Sequence, residues 1–327
     1  MRPELTSALH FVHGDGAADT VRRAGAPPAA VHVRKDLLTV GPSDDDPARH
    51  RALRAAYWEM AREPAAALDH PSGVAAASTA PVALWATPAW SDQLWLWWTL
   101  DALGRAGVDA GRLWLAEPRS LEHPLASVGG VSVKAAAAAF DCAAPVTDAQ
   151  LCEGAALWLK YAASSPLGFD EARRAGSVNY PELPTSAEVH GDWFPRRVDG
   201  RLRLAELDAL VLSTLAEEWR TPAELLTADG GSEISERLFM PFGDRFFLRR
   251  LREWAERGMA RSEPRPGSTP FESIAYRIEP AGRQLVDDGL DSVADAPPLY
   301  VGGCLVNDPR SPWVRVSDGD GWRLERG

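Results

Sequence analysis

The sequence has few cysteines, and their positions exclude a disulfide framework. Only Cys142, Cys152 and Cys304 occur among 327 residues, and no two of them form a C-x-x-C pair. An odd number of scattered cysteines supplies neither a set of disulfides nor a C-x-x-C zinc or redox site. We therefore expect the protein to work in the reducing cytoplasm.

Long hydrophobic runs are also missing. The stretch MRPELTSALHFVHGDG lacks the apolar run of a signal peptide, and the most apolar segment, Leu94 to Leu103, is short and flanked by Asp92 and Asp101. A membrane-spanning helix needs about 20 apolar residues. We expect no membrane segment.

Positive charge is scarce relative to negative charge. The chain carries 35 Lys and Arg residues against 46 Asp and Glu residues, which gives a net charge of -11. Lysine occurs only at Lys35, Lys134 and Lys160. This acidic balance favours a peptide or protein partner over nucleic acid or an anionic membrane.

Several catalytic motifs are absent. The sequence contains no G-x-S-x-G nucleophile elbow, no Walker loop, no Ser-x-x-Lys motif and no H-x-x-x-H or Cys/His zinc pattern. These absences exclude the commoner hydrolase and nucleotide-hydrolysing classes. No metal and no cofactor are assigned from the sequence.

What the chain does have is a predicted strand, glycine turn and helix near its start, LHFVHGDGAADTVRRAG. Leu9 to Val12 suits a short buried strand, the GDG turn interrupts it, and Ala17 to Ala24 has helical spacing. Such a unit opens an α/β domain. Its turn lies at the carboxyl end of the first strand, where ligands bind in open α/β sheets.

Alternating strands and helices continue from this unit. Val82 to Trp85 suits a buried strand, and a helix from about Ser91 to Ala106, with Ser91 as its cap, is apolar nearly all round. The alternation predicts a Rossmann- or flavodoxin-like domain with a mostly parallel sheet over residues 1–130. A helical connecting region is expected over residues 131–203, with Thr147 capping one of its helices.

The last third of the chain predicts a winged-helix domain and a tail. Three helices, a two-stranded wing and a closing helix are expected over residues 204–290, and a strand-like tail over residues 291–327. On the third helix, Arg245, Arg249 and Arg252 share one face through their i, i+4 and i+7 spacing. Such a face suits phosphate contacts, but winged helices also bind peptides and other proteins.

The candidate ligand-binding residues follow three predicted strands. They are Gly14, Asp15 and Gly16 after the first strand, Asp36 after the second, and Trp90, Asp92 and Gln93 after the third. Asp15 has two interpretations, as a helix cap worth ~1 kcal/mol or as a ligand or acid-base group that shares a cleft with Asp36. His10 and His13 point to opposite faces of the strand, so they cannot both line one cleft. His13, the last residue before the turn, is the better site candidate.

These motifs resemble a known family. LHFVHGDGAADTVRRAG, VRKDLLTVGP and SDQL resemble the bacterial domain-of-unknown-function (DUF) family eighteen-thirty-five, and HGDWFP, YVGG and SPW resemble the parts often joined to it. The resemblance covers most of the chain and implies no particular activity. Gly16 and Thr87-Pro88-Ala89 depart from the family pattern, so no acid-base or metal role is carried over from that region.

Three functions stay open at this stage. The preferred hypothesis is a binding or adaptor protein with a small polar ligand at the strand ends and a peptide or protein partner at the winged helix. The first alternative is an enzyme that acts on a small polar substrate through Asp15 and Asp36, with His13. The second alternative is a DNA-binding regulator.

Overall fold

A computed structural model of the protein describes residues 3–60, 68, 70–120, 123, 126–215, 217–227, 240–267, 269, 271–289, 296–319 and 321–327. They form two compact units, residues 1–187 and 188–327. Residues 61–67 of the predicted α/β domain and 228–239 of the predicted winged helix lie outside the described residues.

The first unit alternates strands and helices along the chain. Its elements are β1 (Leu9–His13), α1 (Asp15–Arg23), β2 (Val31–Arg34), α2 (Pro47–Tyr57), α3 (Ser72–Ala76), β3 (Val82–Trp85), α4 (Trp90–Arg105), β4 (Leu113–Ala116), α5 (Val133–Asp141), β5 (Ala144–Pro145), α6 (Asp148–Ala162), α7 (Leu167–Ala175) and α8 (Leu183–Ser186).

The strands form one sheet in the order β2-β1-β3-β4-β5. The first four strands in this order run parallel, and β5 runs antiparallel to β4. All four residues of β3 are buried, as expected for a central strand covered on both faces. The predicted α/β unit with a mostly parallel sheet is confirmed.

Helices cover both faces of this sheet. On one face, Val12 and Trp85 pack with Val21 of α1 and Phe140 of α5 in a buried cluster. On the other face, α4 is buried along almost its whole length and packs against α6. The sequence predicted this all-round burial from the apolar character of α4.

The starts of two helices differ in how they are capped. The predicted cap Thr147 accepts a hydrogen bond from the Gln150 amide at 3.1 Å and completes a capping box at the start of α6. Ser91, by contrast, lies inside α4, whose N-cap is Ala89. The Thr87 hydroxyl, two residues earlier, accepts from the Ala89 amide at 3.1 Å.

The described residues of the second unit form further helices and three small sheets. Its elements are β6 (Arg196–Val198), β7 (Arg201–Arg203), α9 (Glu206–Thr214), α10 (Pro222–Thr227), α11 (Met240–Glu256), β8 (Ala260–Pro264), β9 (Ile274–Ile278), α12 (Pro280–Asp288), β10 (Tyr300–Val301), β11 (Cys304–Leu305), β12 (Trp313–Asp318) and β13 (Gly321–Arg326). The sheets are β13-β12-β6-β7, β8-β9 and β10-β11.

The tail pairs with a hairpin that precedes the predicted winged helix. β12 and β13 form the expected tail hairpin, and β12 also pairs with β6 through Arg315 and Arg196. β6 and β7 lie within residues 188–203, which the sequence assigned to the helical connecting region. Asp199 and Gly200 turn this hairpin with φ angles of 51° and 76°, the left-handed backbone that tight hairpin turns require.

Candidate functional site

The strand order identifies one edge of the first sheet as a candidate site. From β1 the chain crosses to β2 on one side, and from β3 it crosses to β4 on the other. The loops that follow β1 and β3 therefore diverge at the carboxyl ends of two neighbouring strands. A crevice at such a point is where ligands bind in open α/β sheets.

The GDG turn lies at this edge. Gly14 has a φ of 83°, a conformation that glycine adopts without strain, and the space around it is open. Asp15 is the first residue of α1, and no side chain caps that helix. The Asp15 carboxylate is 71% exposed and lies 2.8 Å from the ammonium group of Lys35.

The second glycine of the turn contacts another part of the protein. A Cβ atom on Gly129 would lie 3.1 Å from the carbonyl carbon of Gly16, so the two backbones approach closely. Gly129 belongs to a 3-10 turn, Val128–Gly130. The glycine that this approach favours is Gly129, because a Cβ atom on Gly16 would lie 3.5 Å from the Gly129 Cα, an ordinary contact.

Asp92 joins two segments at this edge of the sheet. Its carboxylate is fully buried, and Oδ2 accepts hydrogen bonds from the Thr87 hydroxyl and the Val128 amide, each at 2.9 Å. The Thr87 amide donates to the same oxygen at 3.3 Å. Oδ1 has no hydrogen-bond partner among the described residues. Asp92 thereby ties the loop after β3 to the 3-10 turn.

His13 lies beside Asp92. Its Nε2 is 3.0 Å from the backbone oxygen of Asp36, which can only accept, so Nε2 carries a proton. Its Nδ1 is 3.7 Å from Oδ1 of Asp92, and the side chain is 10% exposed. The structure therefore brings His13 and Asp92 together at the end of β1.

Asp36 lies in different surroundings from Asp15. Its carboxylate is fully buried and accepts hydrogen bonds from Nε of Arg54 at 2.9 and 3.1 Å, and Nε2 of His50 lies 3.7 Å away. Burial alone would raise the pKa of Asp36, but the charge and hydrogen bonds of Arg54 outweigh burial and hold that pKa below its usual range. Asp36 is therefore engaged by Arg54 in the protein interior, whereas Asp15 is exposed and pairs with Lys35.

Trp90 and Gln93 are both buried near the start of α4. Trp90 packs against Trp97, Tyr161 and Phe169, with ring centroids 5.6 to 5.8 Å apart, so it belongs to an aromatic core. The side-chain amide of Gln93 donates to the backbone oxygen of Thr87 at 2.7 Å. Gln93, unlike Trp90, also lines a cavity beside the end of β4.

The strand-end groove is a cavity of about 350 Å³ beside the end of β4. Its lining includes Gln93, Leu96, Leu115, Glu117, Arg119, Thr147, Gln150, Val178, Asn179, Tyr180, Pro181 and Glu182. Arg119 and Glu182 form an ion pair at 2.9 Å. Glu117 is exposed overall. Desolvation by the surrounding protein nevertheless raises the pKa of its carboxyl group, although the positive charge of Arg119 acts to lower it.

The groove residues Glu117 and Arg119 were missed in the sequence analysis. Glu117 directly follows β4, and Arg119 lies two residues further along the chain. The rule that selected Asp15, Asp36 and Asp92, namely a polar residue after a predicted strand, would also have selected Glu117. That signal was therefore present in the sequence.

The arginine face on α11 carries acidic partners. Nε of Arg249 donates to Glu253 at 2.7 Å, and Nε of Arg252 lies 3.9 Å from Glu256. Arg245 is exposed. The face that the spacing predicts is therefore present, with mixed rather than uniformly positive charge.

The described residues contain no group of three or more His, Cys, Asp or Glu side chains arranged to hold a metal ion. Across the same part of the chain, we find no helix with the length and apolar content needed to span a membrane. No protein-family model matches the chain, and no curated protein matches it either.

Proposed function

We propose that the protein is a ligand-binding adaptor whose first unit binds a small polar ligand in the strand-end groove. The observation that carries this proposal is the position and chemistry of the groove. It lies beside the end of β4 and presents Glu117, Arg119, Gln93 and Asn179 around a volume of about 350 Å³. A few convergent polar groups in a concave site of this size fit a small metabolite.

The strand order supports a flavodoxin-like assignment for the first unit. The order β2-β1-β3-β4-β5 is that of flavodoxin-like sheets, although β5 runs antiparallel here. Membership of family eighteen-thirty-five is part of this proposal. It is supported only by the sequence motifs LHFVHGDG, VRKDLLTVGP and SDQL.

The ligand proposal is tested by calorimetry on the full chain with free amino acids, nucleosides, monosaccharides and sugar phosphates. We expect one class to bind, and Glu117→Gln or Arg119→Gln to weaken its binding at least 10-fold. Glu171→Gln, which changes an exposed carboxylate on α7, is the matched control and should bind like the wild type. Ligand binding that neither groove variant weakens would overturn the assignment to this groove.

We further propose that residues 204–290 form a winged-helix module that binds a peptide or protein. The order α9, α10, α11, β8, β9 and α12 supports this assignment, as does a bridge between Arg220, before α10, and Tyr276 of β9. Arg249 pairs with Glu253, and Arg252 lies near Glu256. The two glutamates reduce the net positive charge of this helix face, whereas binding of DNA phosphates needs an excess of positive charge. The pairing therefore favours a protein partner over DNA.

The partner proposal is tested by titrating the full chain with DNA duplexes at several salt concentrations. We expect no sequence-dependent duplex binding at physiological ionic strength. Non-specific duplex binding at lower salt should be equally strong in the wild type, Arg245→Gln and Arg249→Gln. Nanomolar, sequence-dependent binding that these variants weaken and that salt reduces steeply would favour a DNA-binding regulator instead.

A further inference from the structure

The free hydrogen-bonding groups of the strand-end groove narrow the chemistry of its ligand, and this inference rests on the function proposed above. The groove lies where β3 and β4 end side by side. The Ala86 amide, directly after β3, donates to the Ala116 oxygen at the end of β4 at 3.2 Å. Because neighbouring strands lie about 4.8 Å apart, the loop after β3 starts directly beside Glu117.

Gln93 brings an acceptor oxygen to this place. The residue is 3% exposed and lines the groove. Its amide nitrogen donates to the backbone oxygen of Thr87 at 2.7 Å, and that oxygen can only accept, so the contact fixes which end of the amide is nitrogen. The amide oxygen receives no hydrogen bond from any described residue. A buried acceptor without a donor favours a ligand that supplies one.

Asn179 offers a second acceptor oxygen in the same groove. Its amide nitrogen donates to Oε2 of Glu153 at 2.6 Å, which fixes the orientation of this amide as well. Within the described part of the chain, no donor contacts its amide oxygen. Gln93 and Asn179 therefore both leave an oxygen available to a ligand.

Glu117 adds an unpaired negative charge. Its carboxylate lines the groove and forms neither a hydrogen bond nor an ion pair with any described residue. Arg119 is the only cation among the described residues of the lining, and its Nη1 already donates to Glu182 at 2.9 Å. The lining thus carries two carboxylates and one guanidinium group, and the guanidinium is paired with the carboxylate of Glu182 rather than that of Glu117.

An ammonium group presents three N–H donors and no acceptor, which matches these free oxygens. A carboxylate on the ligand would be repelled by Glu117 and Glu182. A hydroxyl group suits Nε2 of Gln150, because Oε1 of this amide is held by Thr147 and Nε2 donates to no described residue.

We propose that the ligand of the strand-end groove is a small primary amine that carries hydroxyl groups. Its ammonium group binds at Glu117 and the amide oxygens of Gln93 and Asn179, and a hydroxyl group accepts from Gln150.

The test compares compounds of similar shape that differ in their end groups, by calorimetry and ligand-observed NMR on the full chain. The first set is 4-aminobutan-1-ol, butane-1,4-diol, 4-hydroxybutanoate and 4-aminobutanoate, and the second pair is D-glucosamine and D-glucose. We expect at least one of the two amino alcohols to bind saturably. It should bind at least about 10-fold more tightly than its neutral counterpart and than both carboxylates, because charge-assisted hydrogen bonds are the stronger ones.

No saturable binding of either amino alcohol at millimolar concentration would overturn the proposal. Tighter binding of a carboxylate or of a neutral counterpart would overturn it as well.

Two conservative variants assign the ammonium group to this groove. Glu117→Gln should weaken the amino alcohol at least about 10-fold. Glu182→Gln releases the guanidinium group of Arg119 and should weaken the amino alcohol while strengthening 4-hydroxybutanoate. Glu171→Gln, on α7, is the matched control and should bind like the wild type. Wild-type affinity for the amino alcohol in Glu117→Gln would overturn the assignment.

Failure of this inference is distinguishable from failure of the proposed function. If a compound without an amine binds and Glu117→Gln or Arg119→Gln weakens it, the groove is a ligand site and only the amine assignment is wrong. If an amino alcohol binds the wild type and all groove variants equally, both the amine assignment and the assignment of ligand binding to this groove are wrong.

Discussion

The Nδ1 atom of His13 lies 3.7 Å from Oδ1 of Asp92, where β1 ends and α4 begins. The two residues belong to loops that diverge at the carboxyl edge of the sheet. Through its other oxygen, Asp92 also holds Thr87 and Val128. One buried carboxylate therefore holds the loop after β3 to the 3-10 turn beside His13, and the shape of this edge of the sheet depends on it.

Replacing Asp92 tests this role. Asp92→Ala should lower the free energy of unfolding by about 2–4 kcal/mol, because it leaves the Thr87 and Val128 donors buried without an acceptor. Asp92→Asn keeps one acceptor oxygen and should cost roughly 1 kcal/mol. Urea denaturation measures both. Equal losses in the two variants would show that the charge, rather than the hydrogen bonds, provides the stabilisation.

Local patterns were sufficient to predict most elements of the first unit. Val82 to Trp85 reads as a buried strand because all four residues are apolar, and Thr147 with Gln150 carries a capping-box signature three residues apart. Both features depend on neighbours in the sequence. The structure has each of them at the predicted position.

The candidate site was harder to predict because its contacts join distant residues. Asp36 looked available for a ligand, but Arg54, 18 residues later, reaches it from α2. No local pattern identifies that pairing. The hairpin that Asp199 and Gly200 turn could have been predicted from the sequence, because an Asp-Gly pair between two short extended segments is a hairpin signal.

Breaking the buried pair of Asp36 and Arg54 should lower the free energy of unfolding much more than breaking a surface pair does. Arg54→Met leaves the fully buried Asp36 carboxylate without its cation and should cost about 3–5 kcal/mol. The double variant Asp36→Leu with Arg54→Met should recover part of this loss. It should not recover all of it, because Arg54 also donates to the backbone oxygens of Leu37 and Val40.

A surface pair provides the control for that measurement. Arg23 and Asp19 lie 3.5 Å apart on α1, with both side chains mostly exposed. Arg23→Met should cost less than about 1 kcal/mol. Similar losses in Arg23→Met and Arg54→Met, measured by urea denaturation, would contradict the contrast between buried and exposed pairs.

His70 should make the protein less stable in mild acid. Burial lowers its pKa to about 3 in the folded state, whereas an unfolded histidine titrates near 6.5. Between these values the unfolded chain binds a proton that the folded chain does not, so stability falls as pH falls below about 6.5. By pH 5 this contribution is about 2 kcal/mol.

The variant His70→Asn isolates this contribution. Asparagine keeps an acceptor for the Ser72 amide but does not titrate in this range. The difference in unfolding free energy between the wild type and His70→Asn should therefore shift by about 2 kcal/mol in favour of the variant from pH 7 to pH 5. A difference that stays constant over this range would mean that His70 can be protonated in the folded protein.

The GDG turn allows its structural and functional roles to be separated. Asp15→Asn should cost less than about 1 kcal/mol, because it removes only an exposed pair with Lys35 and a favourable charge at the start of α1. Gly14→Ala should cost about 1–2 kcal/mol, because its φ of 83° is unfavourable for alanine. Thermal melts and urea denaturation of both variants check this order. If Asp15 also contacts a ligand, Asp15→Asn should lose ligand affinity at nearly wild-type stability. A larger stability loss in Asp15→Asn than in Gly14→Ala would show that the carboxylate, rather than the glycine backbone, maintains the turn.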